Sequence, residues 1–140
     1  MIPGTSGNSY EIVQAPGYVA IRYERMNDVR VIPLDGRPHA NIRVRAHLGD
    51  ARGRFQGDTL IVETTNFRDQ SAYRDANPDR LRLVERFTSQ PDGMLEWSVT
   101  VDDPSTWTRR GRSRWSSRQI PKNGSWSMRA MRETELWRTR

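Results

Sequence analysis

Apolar and polar residues alternate one by one along several short segments of this 140-residue chain, and this alternation limits the possible folds more than any other feature. In the segment MLEWSVTV, the residues that share one face of an extended strand are Leu95, Trp97, Val99 and Val101. Similar segments, bounded by Gly, Pro or Asp, recur at hairpin spacing before it. Residues 1–109 contain no helical period of any length. The pattern therefore predicts six or more short antiparallel strands.

These segments predict an all-β domain, in which an antiparallel meander forms a small calycin-like barrel or half-barrel. The clearest turn signal is Gly57-Asp58, between RGRFQ and TLIVETT. Hydrophobic residues make up only 34% of the chain, so we expect a thin core. The domain is predicted to span residues 1–109, with a polar loop over residues 67–80. Missing closing strands would leave an open sheet edge, through which the protein can self-associate.

The positive charge is concentrated at the end of the chain. Residues 110–140 contain eight Arg, one Lys and two Glu, a formal charge of +7, whereas residues 1–109 sum to −1. This segment has neither a strand period nor a helix period, so we predict an irregular basic tail. Its side chains include a set suited to phosphate contact and base stacking: Arg110, Arg112, Arg114, Trp115 and Arg118. Non-specific nucleic-acid binding through the tail is therefore one alternative function.

Composition excludes several classes of function. The chain has no Cys, which rules out a disulfide scaffold, a thiolate metal site and a cysteine nucleophile. No apolar run approaches the roughly 20 residues that cross a bilayer, so no membrane partner is expected. The first ten residues lack the pattern of a signal peptide. Gly49, Gly53 and Gly57 are not followed by a helical pattern, so a phosphate loop is not predicted. No cofactor is expected.

The two histidines give a weak metal signal. His39 and His47 lie eight residues apart in a segment without a regular pattern, and Asp50 could complete a set of two histidines and one carboxylate. Nothing in the sequence fixes the geometry of these three side chains. We therefore predict that the chain has no metal site.

Glu85 is the most informative single residue. In the segment LRLVERF it shares a face with Leu83 and Phe87, so we expect its side chain to point into the core. A buried carboxylate costs several kcal/mol unless it is paired or protonated. The candidate partners are Arg52, Arg54 and His39. The alternatives are a structural ion pair, the polar floor of a ligand cavity, or a general base with a raised pKa.

Two other acidic positions carry alternatives of the same kind. Glu63 shares a face of TLIVETT with Ile61 and Thr65, and it either lines a polar cavity or faces solvent. The adjacent carboxylates of Asp102-Asp103-Pro104 could bind a cation. Aspartate that accepts backbone N–H bonds before a proline is more typical of a turn, which is the structure that we predict here.

Small-molecule binding is the leading hypothesis for function. An apolar cavity would be lined by Val19, Ile21, Leu83, Phe87, Trp97 and Val99. Glu85, Glu63 and Arg54 would orient a polar group of the ligand. The predicted ligand-binding residues are Arg54, Trp97, Phe87, Tyr23 and His39. The alternative is a hydrolase or isomerase with Glu85 or Glu63 as general base, and the sequence leaves open whether the protein is an enzyme.

Several blocks resemble an uncharacterised bacterial family of β-rich, usually exported proteins. The most specific are GDARGRFQGDTLIVETTNF, LRLVERFT and TVDDPSTWTR, and the resemblance extends from about Ile2 to Arg109. It implies a β-rich fold and, for the family, an exported or periplasmic location, but no established reaction. Family members usually carry a signal peptide and further sequence before the first block. Met1 is therefore interpreted as an internal start, and the chain as N-terminally shortened.

The resemblance also bears on residues 110–140. Family members continue with Pro-Trp-Thr and later with Tyr-Ala-Cys-His-Glu-Gly-Asn, neither of which is present here. Permitted codons for Arg110–Arg112 and for Met128–Thr134, read from one base earlier, encode these two blocks. One lost base near Arg109 would account for both, so our hypothesis is that residues 110–140 are a frameshifted tail.

Overall fold

The computed structural model of the chain is all-β, and it describes residues 9–23, 27–68, 76–108, 110–120 and 125–129. The strands are β1 (Ser9–Ala15), β2 (Tyr18–Tyr23), β3 (Val29–Pro33), β4 (Asp50–Gln56), β5 (Thr59–Thr65), β6 (Arg82–Ser89), β7 (Met94–Asp102), β8 (Gly111–Ile120) and β9 (Ser125–Arg129). The described residues contain no α-helix. The predicted all-β class is therefore confirmed. Half of the predicted loop at 67–80, residues 69–75, lies outside the described residues.

Every pair of neighbouring strands is antiparallel, in the order β3-β2-β1-β9-β8-β7-β6-β5-β4. The three-stranded part β1–β3 and the five-stranded part β4–β8 each follow chain order, and β9 pairs with both β1 and β8. The first hairpin of the five-stranded part turns at Gly57-Asp58, as predicted. Gly57 has a φ angle of 56°, a left-handed conformation that glycine adopts without steric cost.

The inner face of the sheet buries one continuous apolar cluster, and the alternation predicted for β2, β6 and β7 is confirmed. The buried residues of these strands are Val19, Ile21, Leu83, Glu85, Phe87, Leu95, Trp97, Val99 and Val101, which face inward, and Ser98 on the opposite face of β7. Tyr10 of β1 and Ile32 of β3 belong to the same cluster. Both parts of the sheet therefore contribute to a single core.

The two edge strands, β3 and β4, pack against each other at Gly53. A Cβ atom added to Gly53 would lie 2.7 Å from Cγ2 of Ile32 and 2.8 Å from Cδ2 of Leu34. Only glycine permits this close approach. In the described part of the chain, no ladder of backbone hydrogen bonds joins β3 to β4. The sheet is thus rolled until its edges meet through side chains rather than through a hydrogen-bonded seam.

The turn that follows β7 confirms the prediction made from Asp102-Asp103-Pro104. The buried carboxylate of Asp103 accepts hydrogen bonds from the backbone N–H groups of Asn77 at 2.8 Å, Ser105 at 2.9 Å and Thr106 at 3.3 Å. Because Asn77 lies in the segment before β6, Asp103 also ties that segment to the turn. This geometry matches a structural aspartate.

The prediction of an irregular tail is wrong for two segments beyond residue 109. β8 pairs with β7 from Gly111 opposite Val101 to Arg118 opposite Met94, and β9 then pairs with β8 and β1. Ladder hydrogen bonds use only backbone groups, so a segment without side-chain alternation can still extend an open sheet edge. Strands on both sides of the predicted boundary at residue 109 therefore belong to one sheet.

Candidate functional sites

The residues predicted to form one site lie on opposite faces of the sheet. The inner set is Tyr23, Glu85, Phe87 and Trp97, and the outer set is Arg54, Glu63 and His39. The expectation that Arg54 and Glu63 orient a ligand beside Glu85 is wrong. Gly53 and Val62 occupy inner positions of β4 and β5, and successive side chains of a strand point to opposite faces. Arg54 and Glu63 are consequently on the outside.

Glu85 is buried, as predicted, but its partner is Arg30 of β3. Nη2 of Arg30 donates hydrogen bonds to Oε2 of Glu85 and, at 2.8 Å, to Oγ1 of Thr64. The side chains of Arg30 and Glu85 are only 4% and 2% exposed. The prediction of a partner for Glu85 is therefore confirmed, but the choice of partner is wrong for all three candidates, which were Arg52, Arg54 and His39.

Arg30 is stabilised in its charged form. Burial acts to lower the pKa of the Arg30 guanidinium, but the charge of Glu85 outweighs this effect and the pKa is raised. Burial also raises the pKa of the Tyr23 phenol, and Arg30 offsets this only in part. Within the described residues, Nε of Arg30 is buried without a hydrogen-bond partner. Glu85 is thus held by a cation away from solvent, an arrangement that does not favour the general-base alternative.

A cavity of about 250 Å³ opens at the end of the sheet where three hairpins meet. Its walls are Ile12, Val19, Phe55, Leu60, Phe87 and Leu95, with Gln14, Asp58 and Ser89 as polar groups. Val19 belongs to the three-stranded part, whereas Leu60 belongs to the five-stranded part. The cavity, which we call the mouth cavity, therefore lies between the inner faces of the two parts.

The mouth cavity contains only part of the predicted ligand site. Val19 and Phe87 line it, while Ile21, Leu83 and Val99 are buried in the core. The ring of Phe87 stacks on that of Trp97, with the two centroids 5.8 Å apart. The prediction therefore placed the ligand site too far into the core. The side chains of Ile21, Leu83 and Val99 pack in the middle of the rolled sheet and leave no space for a ligand there.

A second cavity, of about 270 Å³, lies on the outer face and is called the outer cavity here. Its lining residues are Gly36, Arg37, Pro38, His39, Arg52, Gly53, Arg54 and Glu63. Asn66 anchors the loop beside it, because its side-chain amide donates to the carbonyl oxygens of Ala40 at 2.9 Å and Asn41 at 3.2 Å. The structure thus brings together three of the predicted site residues: Arg54 of β4, Glu63 of β5 and His39 of this loop.

Glu63 is held as a carboxylate in the outer cavity. Its Oε1 and Oε2 atoms accept hydrogen bonds from Nε and Nη2 of Arg82, each at 2.7 Å. These bonds lower the pKa of Glu63. The raised pKa expected of a general base is therefore wrong for this residue, and Arg82 is a partner that the sequence pattern did not identify.

His39 is oriented by Asp50. Nδ1 of His39 lies 3.0 Å from Oδ2 of Asp50, which also accepts a hydrogen bond from the N–H of Ala40 at 2.9 Å. Burial acts to raise the pKa of Asp50, but these hydrogen bonds and the charge of Arg52 outweigh it, so the pKa is lowered. Nε2 of His39 is 3.9 Å from Oε1 of Glu63. The imidazole therefore lies between two carboxylates.

The histidine and aspartate set considered for a metal does not assemble. His39 contacts Asp50, whereas Nε2 of His47 is 3.9 Å from Oδ2 of Asp28. Across the ranges that the structure describes, no group of three or more His, Asp or Glu side chains is arranged to hold a metal ion.

The residues considered for nucleic-acid binding begin with Arg110, directly before β8. Nε of Arg110 lies 2.9 Å from Oδ2 of Asp102, although the Arg110 side chain is 69% exposed. Arg112 is also exposed. The register places Arg112, Arg114, Trp115 and Arg118 opposite Thr100, Ser98, Trp97 and Met94. Nucleic-acid binding by this segment stays a prediction.

No family model, no curated protein and no solved structure matches this chain. Among the described residues, there is no helix long and apolar enough to cross a membrane. The two cavities, with the charges and apolar surfaces that line them, are the candidate functional sites.

Proposed function

We propose that the protein is a small-molecule-binding module, a rolled sheet of calycin-like character that holds its ligand in the mouth cavity. The observation that carries the proposal is the lining of this cavity, in which six of the nine residues are apolar. Ligand sites are usually concave, mostly apolar and provided with a few polar groups, and they commonly occupy the mouths of β-barrels. The position among three hairpin turns fits that description.

The cavity favours a compact ligand with one polar end. Its volume of about 250 Å³ is slightly below the lower limit of roughly 300 Å³ that is typical of drug-sized ligands. A single aromatic ring or a short alkyl chain would cover the apolar walls and remove them from water. Asp58 and Ser89 offer hydrogen-bond acceptors, which favours a ligand that carries a hydroxyl or an amine.

Binding can be tested with benzyl alcohol, which has one ring and one hydroxyl. A titration followed by methyl NMR should shift the methyl signals of Val19, Leu60 and Leu95, which line the cavity. The signals of Val29 and Val31, which are exposed, should not move. Shifts that are equal in both groups, or absent from both, would contradict the proposal.

Two variants sharpen this test. Leu60→Phe should narrow the cavity and weaken binding of benzyl alcohol by about tenfold or more, whereas Val31→Phe places the same ring at an exposed position and should have no effect. Phe55→Ala removes a half-exposed wall of the cavity and should also weaken binding, without placing new volume in the core. Circular dichroism of each variant checks the fold. Unchanged affinity in Leu60→Phe and Phe55→Ala would overturn the assignment.

A further inference from the structure

The outer cavity is independent of the mouth cavity and has different chemistry. We propose that it is a binding site for a small carboxylic acid that also carries a hydrogen-bond donor, as hydroxy acids and amino acids do. Arg54 binds the carboxylate of this ligand, and His39 and Glu63 accept hydrogen bonds from its donor group. The volume of about 270 Å³ limits the ligand to a small molecule.

Among the residues that the structure describes, one cation of the outer cavity, Arg54, has no ion-pair contact of its own, although its charge contributes to lowering the pKa of Glu63. Three ion pairs account for the other charged side chains: Arg37 with Asp35, Arg52 with Asp50, and Arg82 with Glu63. Arg54 forms no such pair in the part of the chain that the structure describes. A guanidinium group binds a carboxylate through two parallel hydrogen bonds, which gives both affinity and orientation. An anionic ligand would therefore complete the charge balance of this site.

The donor group of the ligand follows from the geometry of His39. Asp50 is a carboxylate that accepts several hydrogen bonds, so Nδ1 of His39 carries a proton and donates a hydrogen bond to Asp50. In the neutral ring, Nε2 is then an acceptor. It faces Oε1 of Glu63 at 3.9 Å, which is too long for a hydrogen bond. A hydroxyl or ammonium group placed beside these two acceptors would satisfy both.

Both acceptors are already oriented, which lowers the entropic cost of binding. Asp50 fixes the imidazole of His39, and two hydrogen bonds from Arg82 fix the carboxylate of Glu63. Asn66 holds the loop on which His39 lies. A ligand would therefore order few side chains on entering, and affinity is lost mainly when such ordering is required.

Four probes test the proposed chemistry on the full chain by NMR titration. Lactate and alanine carry both a carboxylate and a donor, propionate lacks the donor, and ethanolamine lacks the carboxylate. We expect lactate, alanine or both to bind at the outer cavity. Propionate and ethanolamine should bind at least about tenfold more weakly. The tighter of lactate and alanine identifies the donor as hydroxyl or ammonium. Equal binding of all four probes, or no binding of any at about 10 mM, overturns the proposal.

A matched pair of arginine variants separates this site from general attraction to a basic surface. Arg54 and Arg86 are both exposed and flank Ile61 on adjacent strands, but Arg86 does not line the cavity. Arg54→Gln should weaken binding of the preferred probe about tenfold or more, while Arg86→Gln leaves it unchanged. His39→Asn should reduce the preference for that probe over propionate. Equal losses in the two arginine variants would contradict the proposal, whatever benzyl alcohol does at the mouth cavity.

Discussion

Arg30 and Glu85 form an ion pair inside the rolled sheet, although they are 55 residues apart and their strands, β3 and β6, are not neighbours in the sheet. Both side chains are almost fully removed from water. Each charge therefore depends on the other, because an unpaired charge in the interior is costly. The pair links the three-stranded part of the sheet to the five-stranded part.

Removing one member of this pair should strongly destabilise the protein. Glu85→Ala leaves the buried guanidinium of Arg30 without its counter-charge, and we expect a loss of about 3–5 kcal/mol in the free energy of unfolding. Urea denaturation measures this loss. Glu63→Ala is the matched control, because it removes a partly exposed ion pair with Arg82 and should cost about 1 kcal/mol or less. Similar losses in both variants would refute the interpretation.

Replacing both members of the pair should cost less than removing one. In the double variant Arg30→Met/Glu85→Leu, two apolar side chains occupy the space and no buried charge remains. Such replacements are often neutral or stabilising, so we expect the double variant to unfold at higher urea concentration than Glu85→Ala. If the double variant is less stable than Glu85→Ala, this prediction is wrong, and the ion pair stabilises the fold by more than the compensation of two buried charges.

The contact between the two edge strands predicts that Gly53 tolerates no side chain. The methyl group of Gly53→Ala would overlap Ile32 and Leu34, and overpacking of this kind typically costs about 1–3 kcal/mol. Thermal or urea unfolding measures the loss. Adding Leu34→Ala makes room for the methyl group and should recover part of it. The absence of any loss in Gly53→Ala would mean that β3 does not pack on β4 in solution.

Asp103 should make the free energy of unfolding depend on pH below about pH 4. Burial acts to raise its pKa, but hydrogen bonds from Ser105 and Thr106 outweigh burial and lower the pKa to about 2, below the ordinary value of 3.8. A lowered pKa stabilises the folded protein fully above the ordinary value, and the contribution is lost as the pH falls towards about 2. The difference in unfolding free energy between the protein and Asp103→Asn should therefore be largest near neutral pH and shrink below about pH 4. A difference that stays constant between pH 7 and pH 2 would contradict this account.

The reading-frame hypothesis for residues 110–140 makes a prediction about the coding DNA. We propose that the codons of Arg110–Arg112 and Met128–Thr134, read from one base earlier, give Pro-Trp-Thr and Tyr-Ala-Cys-His-Glu-Gly-Asn. Sequencing the gene through this region tests it directly. Codons that do not permit these readings refute the hypothesis. The pairing of β8 with β7 does not decide the matter, because its ladder is built from backbone groups.

Some side-chain positions could not be deduced from alternation alone. In β3, the face that contains Val29 and Val31 is more apolar in sequence, yet these residues are 52% and 55% exposed while Arg30 is buried. One sequence signal for a buried cation was the predicted inward position of Glu85, because a buried carboxylate requires a partner such as a cation at another inner position. Identifying that cation requires knowing which distant strand faces β6 across the core.

The sequence by itself determined the all-β class, the hairpin turns and the inward positions of β2, β6 and β7, because alternation and turn chemistry are local properties of the chain. Only the tertiary structure decided that Glu85 pairs with Arg30 and that Arg54, Glu63 and His39 meet outside the sheet. Those contacts depend on strand order and on how far the sheet rolls. Both result from packing between segments far apart in sequence, which no local pattern records.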